Sequence, residues 1–370
     1  MNTKTQYAPG THPNLPPPSS TVGLIHWLRI NLFSNTTSTI LTLFSLYLVY
    51  ILIPPAVSWI FLNSDWVGDS RESCTSGGAC WVFIYNRLDQ FMYGFYPEAE
   101  KWRINITFGL LVLLMAPLFM EKFRHKSLLG AFLLFVYPVI GFFLLVGGSF
   151  GLEAVETSRW GGLSLTLIIA IVGIVASFPI GLLLALGRRS KMPAISTFCT
   201  GFIELWRGVP LITVLFMSSV MFPLFLPEGV NFDKLMRALI GVTLFSAAYM
   251  AEVIRGGLQA IPKGQYEGAQ ALGLNYWKMM AFIVLPQALK HVIPGIVGTF
   301  IGLFKDTTLV LIIGLFDFLG LVQAASTDPK WLGYSIEGYV FCAFVYWIFC
   351  FSMSQYSQSV ERKLDTGHKR

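Results

Sequence analysis

Long apolar runs alternate with shorter polar segments along most of the chain. A helix needs roughly 20 apolar residues to cross the hydrocarbon core of a bilayer. Segments that approach or reach this length lie at 40–61, 104–119, 128–146, 163–186, 210–226, 235–253, 282–304 and 339–353. No stretch between them shows the strict alternation of a β-strand. The pattern therefore predicts an all-α, polytopic membrane helix bundle with about eight spans.

A further apolar segment, 309–325, is interrupted by Gly314, Asp317 and Gly320. Basic residues collect on the cytoplasmic side of membrane proteins. Most of the 26 Lys and Arg residues fall in the inner loops if this segment does not cross and both termini are cytoplasmic. A full crossing would put the basic C-terminal tail outside. We therefore expect 309–325 to pack as a partial or re-entrant segment.

The stretch between the sixth and seventh spans is polar and rich in small residues. Pro262 suits a first helical position, and Gly273 suits a position just past a helix end. Between them, Gly264, Gly268 and Ala271 recur at i, i+4 and i+7, which leaves one side of a short helix almost free of side chains. Such a helix is too short and too glycine-rich to be stable alone. The pattern leaves two alternatives open: a helix on which a partner docks, or an ordinary connecting loop.

The same stretch carries a family signature. Its residues Glu267, Ala269, Ala271 and Gly273, with Leu285 and Pro286 downstream, resemble the EAA loop of ATP-binding-cassette (ABC) importer permeases. Gly268 departs from the signature because this family usually has alanine there. Further family-like motifs follow in order at 204–211, 247–257, 286–289 and 305–309. The combined set is similar to the polar amino-acid branch of the family.

The resemblance implies a domain organisation built on a type I importer permease core of five helices. The expected division is a cytoplasmic tail and interfacial segment at 1–35, three additional transmembrane helices at 36–160 with a periplasmic loop at 62–103, the permease core at 161–359 with a coupling helix at 262–273, and a cytoplasmic tail at 360–370. In the family, the coupling helix sits in a groove of the cytoplasmic ATPase. The resemblance therefore assigns coupling to the ATPase to Gly264, Glu267, Gly268, Ala269, Ala271 and Gly273.

Composition agrees with a membrane protein, since 54% of the 370 residues are hydrophobic and only 12% are charged. Soluble domains carry about 25% charged residues. The formal charge of +6 follows from the basic inner loops, so we expect no nucleic-acid partner. The sequence contains no Gly-x-x-x-x-Gly-Lys-Ser/Thr phosphate loop. We therefore expect no enzymatic activity and no cofactor in this chain, with ATP and Mg bound by a partner ATPase.

The resemblance also implies partners and a location. The chain resembles the M-type subunit of general L-amino-acid importers, which work in the bacterial inner membrane. That subunit pairs with a second, homologous permease, so a heterodimer is expected. Two ATP-binding subunits inside and a periplasmic amino-acid-binding protein outside would complete the importer.

Polar groups inside or at the end of an apolar run are candidates for a transport path, because ionisable groups in a bilayer usually face a cavity or a partner. Lys305 and Asp306, at the predicted outer end of the seventh span, match the carboxylate and the ammonium of an amino acid. Thr307 and Thr308 could add hydrogen bonds. The alternative is that the two charges pair within the protein or lie in water at a helix end. Asp317 and Tyr249 are two further candidates for the path.

Two charge pairs and two cysteines complete the candidate residues. Glu204 with Arg207, and Glu252 with Arg255, are three residues apart and so share a helix face. We expect a local surface pair from the first and an anchor for the neighbouring loop from the second. Cys74 and Cys80 share a predicted outer loop, and the sequence leaves open whether they form a disulfide or two free thiols. No His/Cys cluster has metal-ligand spacing.

Two other functions compete with the importer. An ion-coupled secondary amino-acid transporter tends to contain inverted repeats with matching broken helices, and no convincing pair is found in this sequence. A non-transporting subunit of a membrane assembly would tolerate changes at the charged candidates for the transport path. The sequence favours the ABC importer permease.

Overall fold

The computed structural model describes residues 23–120, 123–225, 227, 229 and 232–364. The predicted tails at 1–22 and 365–370 lie outside these residues. Over the described ranges the chain is helical, with isolated β-bridges and no strand. The helices are α1 (Leu24–Asn31), α2 (Thr36–Val57), α3 (Trp81–Tyr93), α4 (Lys101–Phe119), α5 (Lys126–Ala131), α6 (Tyr137–Val146), α7 (Gly162–Arg188), α8 (Pro193–Gly208), α9 (Leu211–Phe216), α10 (Lys234–Ala260), α11 (Lys263–Ala271), α12 (Tyr276–Met279), α13 (Leu285–Asp306), α14 (Phe318–Ser326) and α15 (Ser335–Leu364).

Several helices continue through π-helical or 3-10 turns into longer runs. Seven runs in the described chain are long and apolar enough to cross a membrane: Thr36–Leu62, Glu98–Phe119, Lys126–Val146, Gly162–Arg188, Lys234–Ala260, Tyr276–Ile313 and Ser335–Leu364. An eighth crossing results if α8 and Leu211–Phe225, which meet at a bend of 105°, count as one span. The prediction of an all-α membrane bundle with about eight spans is confirmed.

The chain divides into two compact units. The first unit ends at Gly68 and includes Glu72–Trp81. Its main element is α2, which begins where the Asn35 side chain accepts a hydrogen bond from the Ser38 backbone N–H at 2.7 Å. The following loop is closed by a disulfide between Cys74 and Cys80, whose Cα atoms are 5.6 Å apart.

The same loop holds a carboxylate in its charged form. Asp65 accepts hydrogen bonds from the hydroxyl and the backbone N–H of Ser76 at 2.7 and 3.1 Å. These bonds favour the ionised group, so the pKa of Asp65 lies below its ordinary value.

The second unit contains Asp69–Arg71 and the chain from Val82 onward. Its core is the packing of α10 against α7 and α13. One hydrophobic cluster, with Leu165 and Val242 at its centre, lies toward the end of the bundle away from α11. A second cluster, around Met250 and Ile254, lies at the α11 end.

The segment predicted as a periplasmic loop at 62–103 contains a helix, α3, that the sequence analysis did not predict. α3 buries Val82, Phe83 and Phe91, and the Phe83 and Phe91 rings lie 5.5 Å from Trp331 and 6.5 Å from Phe318. The apolar positions of α3 cover only one face, and the polar residues between them made the segment resemble a loop.

The apolar segment at 309–325 does not form one continuous helix. A 3-10 helix over Thr307–Ile313 ends at Gly314, whose φ is 76°. The chain resumes as α14, which begins at Asp317. The first piece is the end of the run Tyr276–Ile313, and α14 has only nine residues, so 309–325 does not form a crossing of its own. The interruptions seen in the sequence therefore correspond to a break between two short helices.

The contact between α7 and α10 requires a residue without a side chain at Gly181. A Cβ atom there would lie 2.7 Å from the Met250 Cβ and 3.0 Å from the Ala247 carbonyl oxygen. We predict that Gly181→Leu lowers the free energy of unfolding by about 1–3 kcal/mol, the usual cost of overpacking. The measurement is the thermal unfolding midpoint of the detergent-solubilised protein. Gly201→Leu in α8 is the matched control, because a Cβ atom there would meet nothing within 4 Å. Equal midpoints for the two variants would contradict the prediction.

Candidate coupling and transport sites

The predicted coupling helix is observed as α11, Lys263–Ala271, directly after Pro262. Its end is fixed by Gly273, which adopts a φ of 70°. The Gly273 N–H donates to the Gln270 carbonyl at 2.9 Å, and the Leu274 N–H donates to the Ala269 carbonyl at 3.2 Å. This pair of bonds is the Schellman arrangement, in which a left-handed glycine satisfies the last carbonyl groups of a helix.

The two sides of α11 differ sharply in exposure. Ala269 is buried at 4% exposure and packs in the hydrophobic cluster of the α11 end. Gly264, Gly268 and Ala271 are exposed, and the period of 3.6 residues per turn puts them about 100–160° around the helix from Ala269. A Cβ atom at either glycine would meet nothing within 4 Å. Together with exposed Glu267, these three residues form what we call the bare face of α11.

The other side of α11 is tied to the bundle through Tyr266. Arg189, next to the end of α7, donates from Nη1 to the Tyr266 hydroxyl at 3.1 Å and to the Leu258 carbonyl at 3.0 Å. Its guanidinium also lies 5.7 Å from the centre of the Tyr266 ring. On the neighbouring turn, Gln287 of α13 donates to the Gln265 side chain at 3.0 Å. α11 is therefore attached to α7, α10 and α13.

A cluster of charges, here called the Glu252 cluster, lies near the same end of the bundle. Glu252 is 14% exposed and accepts from Arg188 at 2.5 Å and from Arg255 at 2.8 Å. Arg207 of α8 approaches it at 3.5 Å. Arg188 reaches back to Glu204 of α8 at 2.9 Å. The cluster therefore joins the ends of α7, α8 and α10.

The two predicted charge pairs have different outcomes. Glu252 and Arg255 do pair, as the spacing predicts. The expected local pair of Glu204 with Arg207 was wrong, because Glu204 binds Arg188 and Arg207 binds Glu252. Helix spacing shows which residues share a face, but it does not show that another helix supplies a better-placed partner.

A cavity of about 470 Å³ lies between α9, α10 and α13. Its wall consists of Leu211, Val242, Phe245, Ser246, Tyr249, Gly295, Gly298, Thr299, Gly302, Leu303 and Asp306. Because α10 runs toward α11 and α13 runs away from it, Tyr249 and Gly295 mark the end of the cavity nearer α11. Asp306 marks the opposite end and carries the only formal charge among these described lining residues.

One hydroxyl in the cavity wall lacks a protein partner. Ser246 is 4% exposed, and its Oγ has no hydrogen-bond partner among the described residues. A buried hydroxyl without a partner is costly. Ser246 is therefore a buried polar residue of the cavity wall whose hydroxyl is free of internal bonds within the described chain. Ser246 and Thr299 were not identified from the sequence, although a hydroxyl within a predicted span was the available signal.

The predicted path residues do not form one group. Asp306 and Tyr249 line the cavity. Lys305 is exposed. The hydroxyls of Thr307 and Thr308 donate to the carbonyls of Phe304 and Lys305 at 2.7 and 2.9 Å. Contact of these residues with a substrate stays a prediction.

Asp317 has a structural role that the sequence analysis did not assign. It is completely buried, and its carboxylate accepts from the backbone N–H groups of Leu319 and Gly320 at 3.2 and 3.0 Å. The Tyr346 hydroxyl lies 3.4 Å away. Asp317 therefore caps the start of α14 and is not among the residues that line the cavity, and its contact with a substrate stays a prediction.

The described residues contain no group of three or more His, Cys, Asp or Glu side chains that could hold a metal ion.

Comparisons with known proteins agree with this architecture. The family model for the binding-protein-dependent transport system inner membrane component matches residues 177–366. The chain is 56% identical over 357 residues to the inner membrane amino-acid ABC transporter permease protein YhdY of Escherichia coli (strain K12), covering 96% of this chain and 97% of that protein. It is 40% identical to the glutamate/glutamine/aspartate/asparagine transport system permease protein BztC of Rhodobacter capsulatus, covering 96% of each.

A crystal structure of an amino acid ABC transporter with histidines is also similar, with 28% identity and a TM-score of 0.48 over 55% of this chain and 92% of that chain. The resemblance inferred from the EAA-like motifs is confirmed by the family match and by the two relatives of similar length. The chain is a multi-span helical permease subunit and belongs to the family of binding-protein-dependent transport system inner membrane components.

Proposed function

We propose that this chain is the translocation subunit of an ATP-driven importer of L-amino acids. The observation that carries the proposal is the bare face of α11. A nine-residue helix with two interior glycines is not stable by itself, yet here one side is fastened to three helices and the other is left open. A surface without side chains allows the backbone of a partner to come close. A cytoplasmic ATPase is the partner that the family supplies.

The proposed assembly has four kinds of component. Two ATP-binding subunits bind ATP and Mg, and one of them contacts the bare face, so this chain needs no cofactor of its own. A second, homologous permease completes the membrane part as a heterodimer. A periplasmic binding protein delivers the amino acid. Both termini of this chain are cytoplasmic in this arrangement, on the same side of the membrane as α11.

The attachments of α11 suit it to transmit force. When ATP binding closes the ATPase subunits, they push on α11. The contacts of Tyr266 with Arg189 and Leu258 pass that movement to the ends of α7 and α10. The cavity lies between α9, α10 and α13, so tilting α10 changes which side of the membrane the cavity faces.

The cavity wall supports an amino acid as substrate. The carboxylate of Asp306 can bind the ammonium group. The rings of Phe245 and Tyr249, whose centres are 4.9 Å apart, give an apolar surface for the substrate side chain. Lys305 is exposed near Asp306, where it can meet the substrate carboxylate as it enters.

Adding a large side chain to the bare face should detach the ATPase. We predict that Gly268→Leu abolishes uptake of labelled amino acids and lowers co-purification of the ATPase at least tenfold, because the new side chain prevents close approach. A loss of 1.4 kcal/mol in binding corresponds to a tenfold change in affinity. Glu267→Arg, which reverses a charge on the bare face, should also lower uptake and co-purification of the ATPase.

Gln270→Leu is the matched control, since Gln270 is an exposed residue of α11 outside the bare face and gains the same side chain. It should retain most of the uptake and the ATPase. Membrane insertion is checked for each variant. Normal uptake and normal assembly of Gly268→Leu would refute the docking role. Uptake that persists after the ATPase has been lost would instead favour an ion-coupled secondary transporter.

Asp306 should contribute to the affinity of the cavity for substrate. We predict that Asp306→Asn raises the dissociation constant for a labelled amino acid about tenfold or more, because hydrogen bonds to charged groups contribute about 1.5–3 kcal/mol. The measurement is equilibrium binding to the purified permease–ATPase complex without the binding protein. Asp69→Asn, an exposed position outside the spans, should leave the constant unchanged. Equal affinities for Asp306→Asn and the unmodified complex would exclude contact between Asp306 and the ammonium group.

A further inference from the structure

Tyr249 lies at the end of the cavity nearest α11. It is the last residue of α10 that lines the cavity before the chain reaches Glu252, one turn further on. The residue is 38% exposed, and its ring packs against Phe245 at a centre distance of 4.9 Å. The position of this ring therefore determines how far the cavity extends toward the α11 end.

Arg207 braces the Tyr249 ring from another helix. Its guanidinium carbon lies 5.5 Å from the ring centre, within the range of a cation–π contact. Its Nη1 is 3.5 Å from Oε2 of Glu252. Arg207 is near the end of α8, whereas Tyr249 and Glu252 are on α10. Both contacts therefore cross from α8 to α10.

The residue that binds α11 is next in the chain to a residue that binds Glu252, the carboxylate that also contacts Arg207. Arg189 donates to Tyr266 of α11, and the preceding residue, Arg188, donates to Glu252 and Glu204. A movement of α11 that displaces the end of α7 therefore also displaces Arg188. Since Glu252 accepts from both Arg188 and Arg207, the disturbance reaches the contact that braces Tyr249.

We propose that Arg207 is a positioning residue for an inner gate, and that it holds the Tyr249 ring across the α11 end of the cavity. This inference rests on the proposed transport function, because a gate has a purpose only if a substrate passes. The ion contact at 3.5 Å and the cation–π contact of a half-exposed guanidinium are individually weak. They can therefore break and reform in each transport cycle. The multiple bonds of Glu252 to Arg188 and Arg255 persist and keep the acceptor in place.

The test measures access to the cavity from the α11 side. The complete importer, with both permeases, the ATPase and the binding protein, carries Thr299→Cys as a reporter in the cavity wall. The complex is reconstituted so that the α11 side is exposed, and a membrane-impermeant thiol reagent is added while a non-hydrolysable ATP analogue holds the ATPase subunits closed. The same complex without the reporter cysteine gives the background from the native cysteines.

We expect Arg207→Gln to increase the labelling rate of the reporter about three- to tenfold, because the loss of one cation–π contact shifts the balance between closed and open gate. Tyr249→Leu should give a similar increase, whereas Tyr249→Phe keeps the ring and should behave as the unmodified gate. Arg207→Lys keeps a cation and should lie between the unmodified protein and Arg207→Gln. Adding Arg207→Gln to Tyr249→Leu should give no further increase, since the two residues act through one contact.

Lys191→Gln is the matched control, because Lys191 is an exposed basic residue of the segment between α7 and α8. An unchanged labelling rate in correctly assembled Arg207→Gln overturns the proposal. An equal increase in Lys191→Gln also overturns the proposal, as do additive effects in the double variant.

If Arg207→Gln does not assemble, the comparison of Tyr249→Phe with Tyr249→Leu decides, and equal labelling rates for these two variants overturn the gate. ATP-driven uptake by the unmodified complex is measured separately, so failure of the transport function is distinguished from failure of the gate.

Discussion

Close packing of α10 between α7 and α13 is the constraint on which the rest of the structure depends. Inside a bilayer, helices gain little from leaving the solvent, so they associate through van der Waals contact and small residues at their interfaces. A Cβ atom at Gly257 of α10 would lie 2.5 Å from the Ala288 carbonyl, and one at Gly295 of α13 would lie 2.9 Å from a Val253 methyl group. With Gly181 on α7, these residues bring the three helices close together. α10 can therefore carry the cavity wall, the Glu252 cluster and the attachment of α11 along one continuous helix.

The Glu252 cluster places charge near the end of the bundle, where desolvation makes an unpaired ion costly. For Glu252 this cost is offset by two close partners, Arg188 and Arg255, and by Arg207 at a greater distance. If any one of these three arginines is removed, the carboxylate of Glu252 still has two cationic partners. The arrangement therefore fixes the positions of α7 and α10 firmly, while α8 is connected through the more distant Arg207 and through the half-exposed Glu204.

The sequence predicted the spans and α11 well because both depend on local signals. An apolar run must be about as long as the bilayer is thick, and the positions of Gly264, Gly268 and Gly273 follow from the geometry of one short helix. The sequence did not predict α3, because its buried face becomes apparent only when Trp331 and Phe318 pack against it. Asp317 was interpreted as a path residue, although an acid directly before an apolar run is also a helix-start signal. The partners of Glu204 and Arg207 come from other helices, so spacing within α8 could not identify them.

The strengths of the contacts indicate where movement can occur. α11 is held by hydrogen bonds and a cation–π contact through Tyr266, and α10 is held by glycine-mediated packing on both sides, so these elements move together. Tyr249 contacts the Phe245 ring and the guanidinium of Arg207, and Arg207 is in turn held by one distant ion contact with Glu252. In the proposed transport cycle, a displacement applied to α11 would pass through Arg189 to the end of α7, and the 3.5 Å contact of Arg207 with Glu252 is longer than the contacts of Glu252 with Arg188 and Arg255. This difference in distance is the physical basis for distinguishing the proposed force-transmitting part of the subunit from the proposed gate.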